Sequence, residues 1–197
     1  MQKRIIVIVG IHGSGKTTLG FSLQTKGFRY YPEIGTELRK IYPENVMQKQ
    51  VEFDMAVMKK ELERDNAIYN DRHVAAIETW HIGNIAFAEA RDSTDVATRY
   101  KKKLYTQLEK FHPCVIKLSI SDSEFRQRAS EKDITKEDAL SFYRKVESNL
   151  NRLLYALDSR RLITILTDQY KDIKTLTDGA YCYIQENGLH IAKRGEI

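Results

Sequence analysis

Cysteine frameworks for metal binding or redox chemistry, and segments for membrane insertion, are what this sequence most lacks. Its 197 residues hold two cysteines, Cys114 and Cys182. They stand in apolar or aromatic surroundings, with no Cys-x-x-Cys spacing and no histidine pair nearby. Both are expected to be buried, reduced thiols, which excludes a disulfide scaffold and a thiolate metal site. No apolar run is long enough to cross a bilayer. MQKR leads straight into a strand pattern, so no signal peptide is expected and the protein should be intracellular and cytoplasmic. Repeats, linkers and low-complexity segments are also missing. A single domain over residues 1–197 is expected, with residues 187–197 free to fray.

Charge is plentiful in both signs. The chain has 32 Lys and Arg against 27 Asp and Glu, a formal net charge of +5, which suits an anionic ligand such as a nucleotide or a nucleic acid. The densest basic cluster is RYKKK at residues 99–103. On a helix it points several ways, and Glu89, Asp92, Asp95 and Glu109 dilute it. A solvated face is expected there rather than a nucleic-acid contact.

Residues 4–9, RIIVIV, are β-branched and apolar on both faces, the pattern of a central strand in a parallel sheet. Further strands are expected at 28–31, 73–79 (HVAAIET), 114–120 (CVIKLSI) and 162–166 (LITIL). Helical patterns lie between them: 17–26, stopped by Gly27; 35–42; 45–68, with Val51, Met55, Met58 and Leu62 on one stripe; 82–90; 95–111; and 172–184. Another runs from Ala139 through Phe142, Val146, Leu150 and Leu153 to Leu157, and Thr135 three residues before Asp138 marks its start. This alternation predicts an α/β protein of three layers, with a five-stranded parallel sheet flanked by helices.

Between the first strand and the first helix lies GIHGSGKT, which fits G-x-x-x-x-G-K-[ST] at Gly10, Gly15, Lys16 and Thr17. Gly13 and Gly15 let successive backbone N–H groups turn inward around a phosphate, and the helix N-terminus adds partial positive charge. Lys16 is expected to reach the β and γ phosphates and the Thr17 hydroxyl to take a position on Mg²⁺, with Ser14 and Thr18 completing the ATP-binding stretch. His12 lies inside the loop at a position where the backbone faces phosphate. A solvent or lid contact is expected for its ring rather than service as a base.

The chain resembles the P-loop nucleoside and nucleotide kinases, a group that includes thymidylate kinases and deoxyribonucleoside kinases. The resemblance rests on GIHGSGKT, YYPEIGTELR, HVAAIETWH and SDSEFRQRAS, in that order, and it implies a P-loop NTPase fold with a helical lid at about 121–138. It further implies that Glu33, in the Pro-Glu element closing the second strand, stands beside the acceptor. There it would orient or deprotonate a hydroxyl, or else simply cap the next helix. Arg39 resembles an acceptor-binding arginine, although a solvated helix face accounts for it equally. Glu78 closes the third strand where the group carries a metal-binding acid. Thr79 departs from the arginine common at the next position, which weakens a monophosphate acceptor. Trp80 is placed either to stack on an acceptor ring or to fill the core. Arg126 and Arg128 lie in the lid-like segment, one to neutralise the transferring phosphoryl group and one to stack on adenine, with Lys132 further on. Thr167-Asp168-Gln169 falls where relatives form the adenine pocket through backbone groups.

The expected activity is therefore an ATP- and Mg²⁺-dependent phosphotransfer to a nucleoside or nucleoside monophosphate. Two alternatives are a kinase of a non-nucleotide metabolite, and a P-loop NTPase acting as a regulator or with nucleic acid. No Asn-Lys-x-Asp stretch is present, which argues against a regulatory GTPase. Relatives are often homodimers, but no stripe in the sequence requires one.

Overall fold

The computed structural model describes residues 2–43, 47–128, 136–155 and 161–189. Five strands, β1 (Lys3–Gly10), β2 (Arg29–Tyr31), β3 (Ala75–Glu78), β4 (Phe111–Ser119) and β5 (Leu162–Leu166), form one sheet in the order β2-β3-β1-β4-β5. Every neighbouring pair is parallel. The helices are α1 (Lys16–Thr25), α2 (Ile34–Leu38), α3 (Val51–Asn70), α4 (Trp80–Ala90), α5 (Thr94–Lys110), α6 (Asp122–Arg128), α7 (Lys136–Leu154) and α8 (Ile173–Glu186). This is the expected three-layer α/β architecture.

β1 is apolar throughout because both of its faces are covered. Side chains alternate across a strand, so Ile5, Val7 and Val9 enter a core shared with α3, α4, α5 and α7. Ile6 and Ile8 enter a second core with Leu19 and Leu23 of α1 and Leu176, Ala180 and Ile184 of α8. β1 lies between β3 and β4, so the crevice past the carboxyl ends of these three strands is where an open α/β sheet of this kind binds ligands.

Several boundaries differ from expectation. β4 starts at Phe111 and carries Pro113, which pairs with Ile5. Pairing with β5 begins only at Val115, so Pro113 sits where β4 is an edge and a missing N–H costs no ladder bond. In α3 the anticipated stripe holds in part: Met58 is buried and Met55 and Leu62 pack partly buried against the core, but Val51 is exposed. Phe53, Asp54, Val57, Glu61, Asp65 and Ile68 are also buried. Cys114 is buried as expected but Cys182 is exposed, because it lies on the outer side of α8. Thr135, Leu157, Lys132, residues 129–135 of the lid-like segment and residues 190–197 of the tail lie outside the described residues. Among the described residues, no helix is long and apolar enough to cross a membrane.

Candidate active site

The loop between β1 and α1 wraps back on the helix N-terminus. Gly13 and Gly15 adopt φ of 77° and 90°, where a Cβ would be strained. Lys16 is buried, and its Nζ donates to the Ile11 carbonyl at 3.1 Å, which holds the ammonium over the loop. Thr17 Oγ1 donates to the Glu78 carboxylate, 3.0 Å and 3.1 Å from its two oxygens. The Lys16 Nζ lies 4.0 Å from Glu78 Oε1. Lys16, Thr17 and Glu78, from α1 and β3, thus meet at the carboxyl end of the central strands.

A fourth member of this group was missed by sequence reasoning. The Tyr30 hydroxyl, on β2, donates to Glu78 Oε2 at 2.5 Å. Burial and the adjacent carboxylate push its ionisation far above the ordinary tyrosine range, so Tyr30 stays a proton donor. Only knowledge that β2 runs parallel beside β3 would have found it, since Tyr30 pairs with Ala76 in that register.

One cleft opens on the α8 side of the loop, lined by Ser14, Gly15, Thr18, Arg128, Thr167 and Tyr170. Ser14 is buried and its hydroxyl has no partner among the described residues. Arg128 reaches this cleft: its Nη1 donates to the Gly13 carbonyl at 3.1 Å while its Nε bonds Glu124 at 2.6 Å. Arg126 turns the other way, to Glu137 on α7 at 2.7 Å. The two lid-segment arginines are therefore not equivalent, and only Arg128 touches the loop. Asp168 accepts from the Ser121 backbone N–H at 3.0 Å, joining the turn after β5 to the start of α6.

A second cavity opens on the other side of Lys16. Its walls include His12, Glu33, Arg39, Asp54, Arg91 and Tyr143, with Phe53, Asn84 and Phe87. Glu33, at the N-terminus of α2, accepts from Arg39 at 2.8 Å. That bond gathers Glu33 and Arg39 in one place, and the Glu33 side chain makes no capping bond to α2. The His12 ring stacks on Tyr143 of α7, with centroids 5.8 Å apart. It keeps solvent contact, but the surrounding atoms and the charge of Lys16 both lower its pKa, so it is a neutral imidazole at physiological pH.

Asp54 and Arg91 form the floor of this cavity and were not singled out from the sequence. Their side chains are nearly sealed from solvent and joined by a salt bridge. The Arg91 guanidinium also packs between the rings of Phe53 and Phe87, at 6.0 Å and 5.7 Å. Burial raises the Asp54 carboxyl above its ordinary range, and Arg91 opposes that rise.

Trp80 takes the second of the two places open to it, the core. It is fully buried, and its Nε1 donates to Asp65 of α3 at 2.9 Å. With its ring in the core and its polar edge occupied, it is not available to stack on an acceptor. Thr79, the departure from the arginine pattern, is also buried and supplies no charge.

Sequence comparison matches no protein-family model and no curated protein. Solved structures do share the fold. A thymidylate kinase from Candida albicans superposes with a TM-score of 0.69 at 17% identity, covering 96% of this chain and 94% of that one. A deoxyadenosine kinase from M. mycoides gives 0.65 at 15% identity, covering 93% and 99%. The NadR protein in complex with NR gives 0.70 at 12% identity. There the match covers 97% of this chain, which spans about half the length of the NadR chain. The fold is that of the P-loop small-molecule kinases, over nearly the whole chain.

Proposed function

We propose that this protein transfers the γ-phosphoryl group of ATP to a hydroxyl of an uncharged small-molecule acceptor such as a nucleoside. The observation that carries the choice of acceptor is the pairing of charges in the second cavity. Arg39 is bonded to Glu33 and Arg91 to Asp54, so each guanidinium is already matched by a carboxylate. An acceptor phosphate entering there would have to break one of those pairs and strand an acid beside it. An uncharged hydroxyl compound meets hydrogen-bonding groups with no such penalty.

In this reading ATP lies in the cleft beside Arg128, with its phosphates over the loop of Gly10, Gly13, Gly15 and Lys16. Thr17 and Glu78 offer hard oxygen ligands 3.0 Å apart, the donor type that Mg²⁺ takes, and they would hold it. When bound, the metal supplies charge neutralisation at the triphosphate. Lys16 and Arg128 stabilise negative charge on the phosphoryl oxygens, while Arg126 ties α6 to α7. Glu33 accepts the proton of the attacking hydroxyl or holds it in line, and Arg39, bonded to it at 2.8 Å, keeps that carboxylate aimed. Rate enhancement comes from positioning and fixed charge rather than from a covalent intermediate.

The test is ADP release from Mg-ATP by the purified protein, alone and with nucleosides, nucleoside monophosphates and other hydroxylated metabolites. The expected result is acceptor-dependent ADP with a nucleoside and a monophosphate product. Turnover with monophosphates alone would overturn the choice of acceptor. ADP and free phosphate without any acceptor would point to an NTPase.

A further inference from the structure

Glu78 is the last residue of β3, and the two residues after it, Thr79 and Trp80, have φ of 69° and 47°. Such angles are unfavourable for any residue with a Cβ, and most of all for β-branched threonine. Two in succession persist only where surrounding contacts determine them. The Thr79 hydroxyl adds no hydrogen bond to that restraint, since its buried Oγ1 has no partner among the described residues. Its backbone is tied at both ends: the N–H donates to Ile8 at 2.8 Å, and the carbonyl accepts from Gly83 at 3.0 Å. A Cβ on Gly83 would lie 2.5 Å from Thr79 Cγ2, so α4 closes on the turn as tightly as atoms allow.

Beyond the packing of Trp80 against Phe111 and His81 against Tyr100, the turn is held by one carboxylate. Asp65, on α3 and almost completely buried, accepts from Trp80 Nε1 at 2.9 Å through Oδ1 and bonds His81 Nε2 at 2.7 Å through Oδ2. The nearby acid Glu61 is occupied separately, by Arg64 at 2.6 Å and Asn84 at 3.0 Å. Both oxygens of Asp65 are therefore spent on the two consecutive rings that follow Thr79. If packing alone were required, an apolar side chain would serve without the desolvation cost of a buried anion.

We propose that Asp65 is a positioning residue: it clamps the Thr79–Trp80 turn in its positive-φ geometry and thereby aims the Glu78 carboxylate at Thr17. The inference rests on the reading of Glu78 as a metal-holding group. It also gives Trp80 and His81 a shared purpose, as the two handles by which α3 grips the end of β3. The turn is rigid before any ligand arrives, so the metal-binding oxygens are set in advance.

The experiment measures ADP affinity by calorimetry, with and without Mg²⁺, for the full chain and for Asp65→Asn, Trp80→Phe and Glu78→Gln. Asparagine keeps the size of Asp65 but offers one carbonyl acceptor in place of two oxygens. Phenylalanine keeps the aromatic packing of Trp80 and removes only its N–H. For both variants, affinity for metal-free ADP should be unchanged, and the extra affinity conferred by Mg²⁺ should fall roughly tenfold. A merely structural role would weaken ADP equally in both conditions, or not at all, and either result overturns the clamp. Where Asp65→Asn fails to fold, Trp80→Phe decides alone. Loss of the Mg²⁺ effect in Glu78→Gln but not in the other two would refute the clamp and leave the metal assignment standing. Retention in Glu78→Gln would refute both.

Discussion

Removing the Arg91 side chain while leaving Asp54 in place tests whether the floor of the second cavity is a compensated ion pair. In Arg91→Leu the Asp54 carboxylate keeps its burial and loses its counter-charge. Breaking a pair this well sealed costs about 3–5 kcal/mol, because the partner is left charged and dry. For a chain of this size that is a fall in Tm of roughly 6–20 °C. Burial already raises Asp54 against the pull of Arg91, and without the arginine it rises further. An acid whose folded pKa is raised destabilises the fold as pH climbs from the unfolded value towards the folded one. The deficit should therefore be smaller at pH 5 than at pH 8. The double variant Asp54→Leu/Arg91→Leu removes both charges and should recover most of the lost stability, while abolishing acceptor-dependent turnover. Thermal denaturation followed by circular dichroism at the two pH values reads all of this. A loss under about 1 kcal/mol in Arg91→Leu, the scale of an exposed pair, would refute the reasoning. So would a double variant as unstable as the single one.

Glu33→Gln should lower acceptor-dependent kcat by roughly 10²–10⁴-fold, the usual contribution of general acid–base catalysis, while ATP affinity by calorimetry stays unchanged. Arg128→Ala should reduce turnover by roughly 10³–10⁵-fold, what an arginine neutralising a transferring phosphoryl group supplies. Arg126→Ala, whose partner is Glu137 on the outer surface, should change turnover little; steady-state kinetics that reversed this order would exchange their roles. In the native protein a thiol reagent should modify Cys182 and spare Cys114, which is buried with its pKa pushed up to about 11. Mass spectrometry of the labelled peptides separates the two.

The parts of this molecule legible in the sequence are those whose physics is local. The β1–loop–α1 unit announces itself because a doubly covered strand must be apolar on both faces and the loop needs glycine at fixed steps. Glu78 was legible too, since an acid closing a buried run needs a partner, and it has Thr17 and Tyr30. Tyr30 itself was not, because its role exists only through the parallel register that sets β2 beside β3. Pro113 misled for the converse reason. Proline argues against a central strand until it is known that β5 starts two residues further along.

The largest gap between sequence and structure lies on α3, and its cause is general. Apolar periodicity assumes that the buried face of a helix is the greasy one, which places Val51, Met55, Met58 and Leu62 inward. Of these only Val51 is exposed, and the inner face that holds Met58 also carries Asp54, Glu61 and Asp65, because three separate sets of partners wait for them: Arg91, Arg64 with Asn84, and Trp80 with His81. Those partners lie between 3 and 37 residues away, and only Arg64 is on the same helix. A buried carboxylate is thus specified mainly by residues elsewhere in the chain, and no window along α3 contains any of these partners but Arg64. Each of the three acids braces something the proposed chemistry uses or sits beside. Asp54 holds the guanidinium at the cavity floor, Glu61 holds Asn84 in the cavity wall, and Asp65 holds the turn behind Glu78. A helix that breaks the apolar rule at three positions on one face has been shaped by what it positions more than by its own packing. The same departure, acids at spacings of seven and four in an otherwise ordinary amphipathic helix, is the signal that would have pointed to the acceptor side of the site.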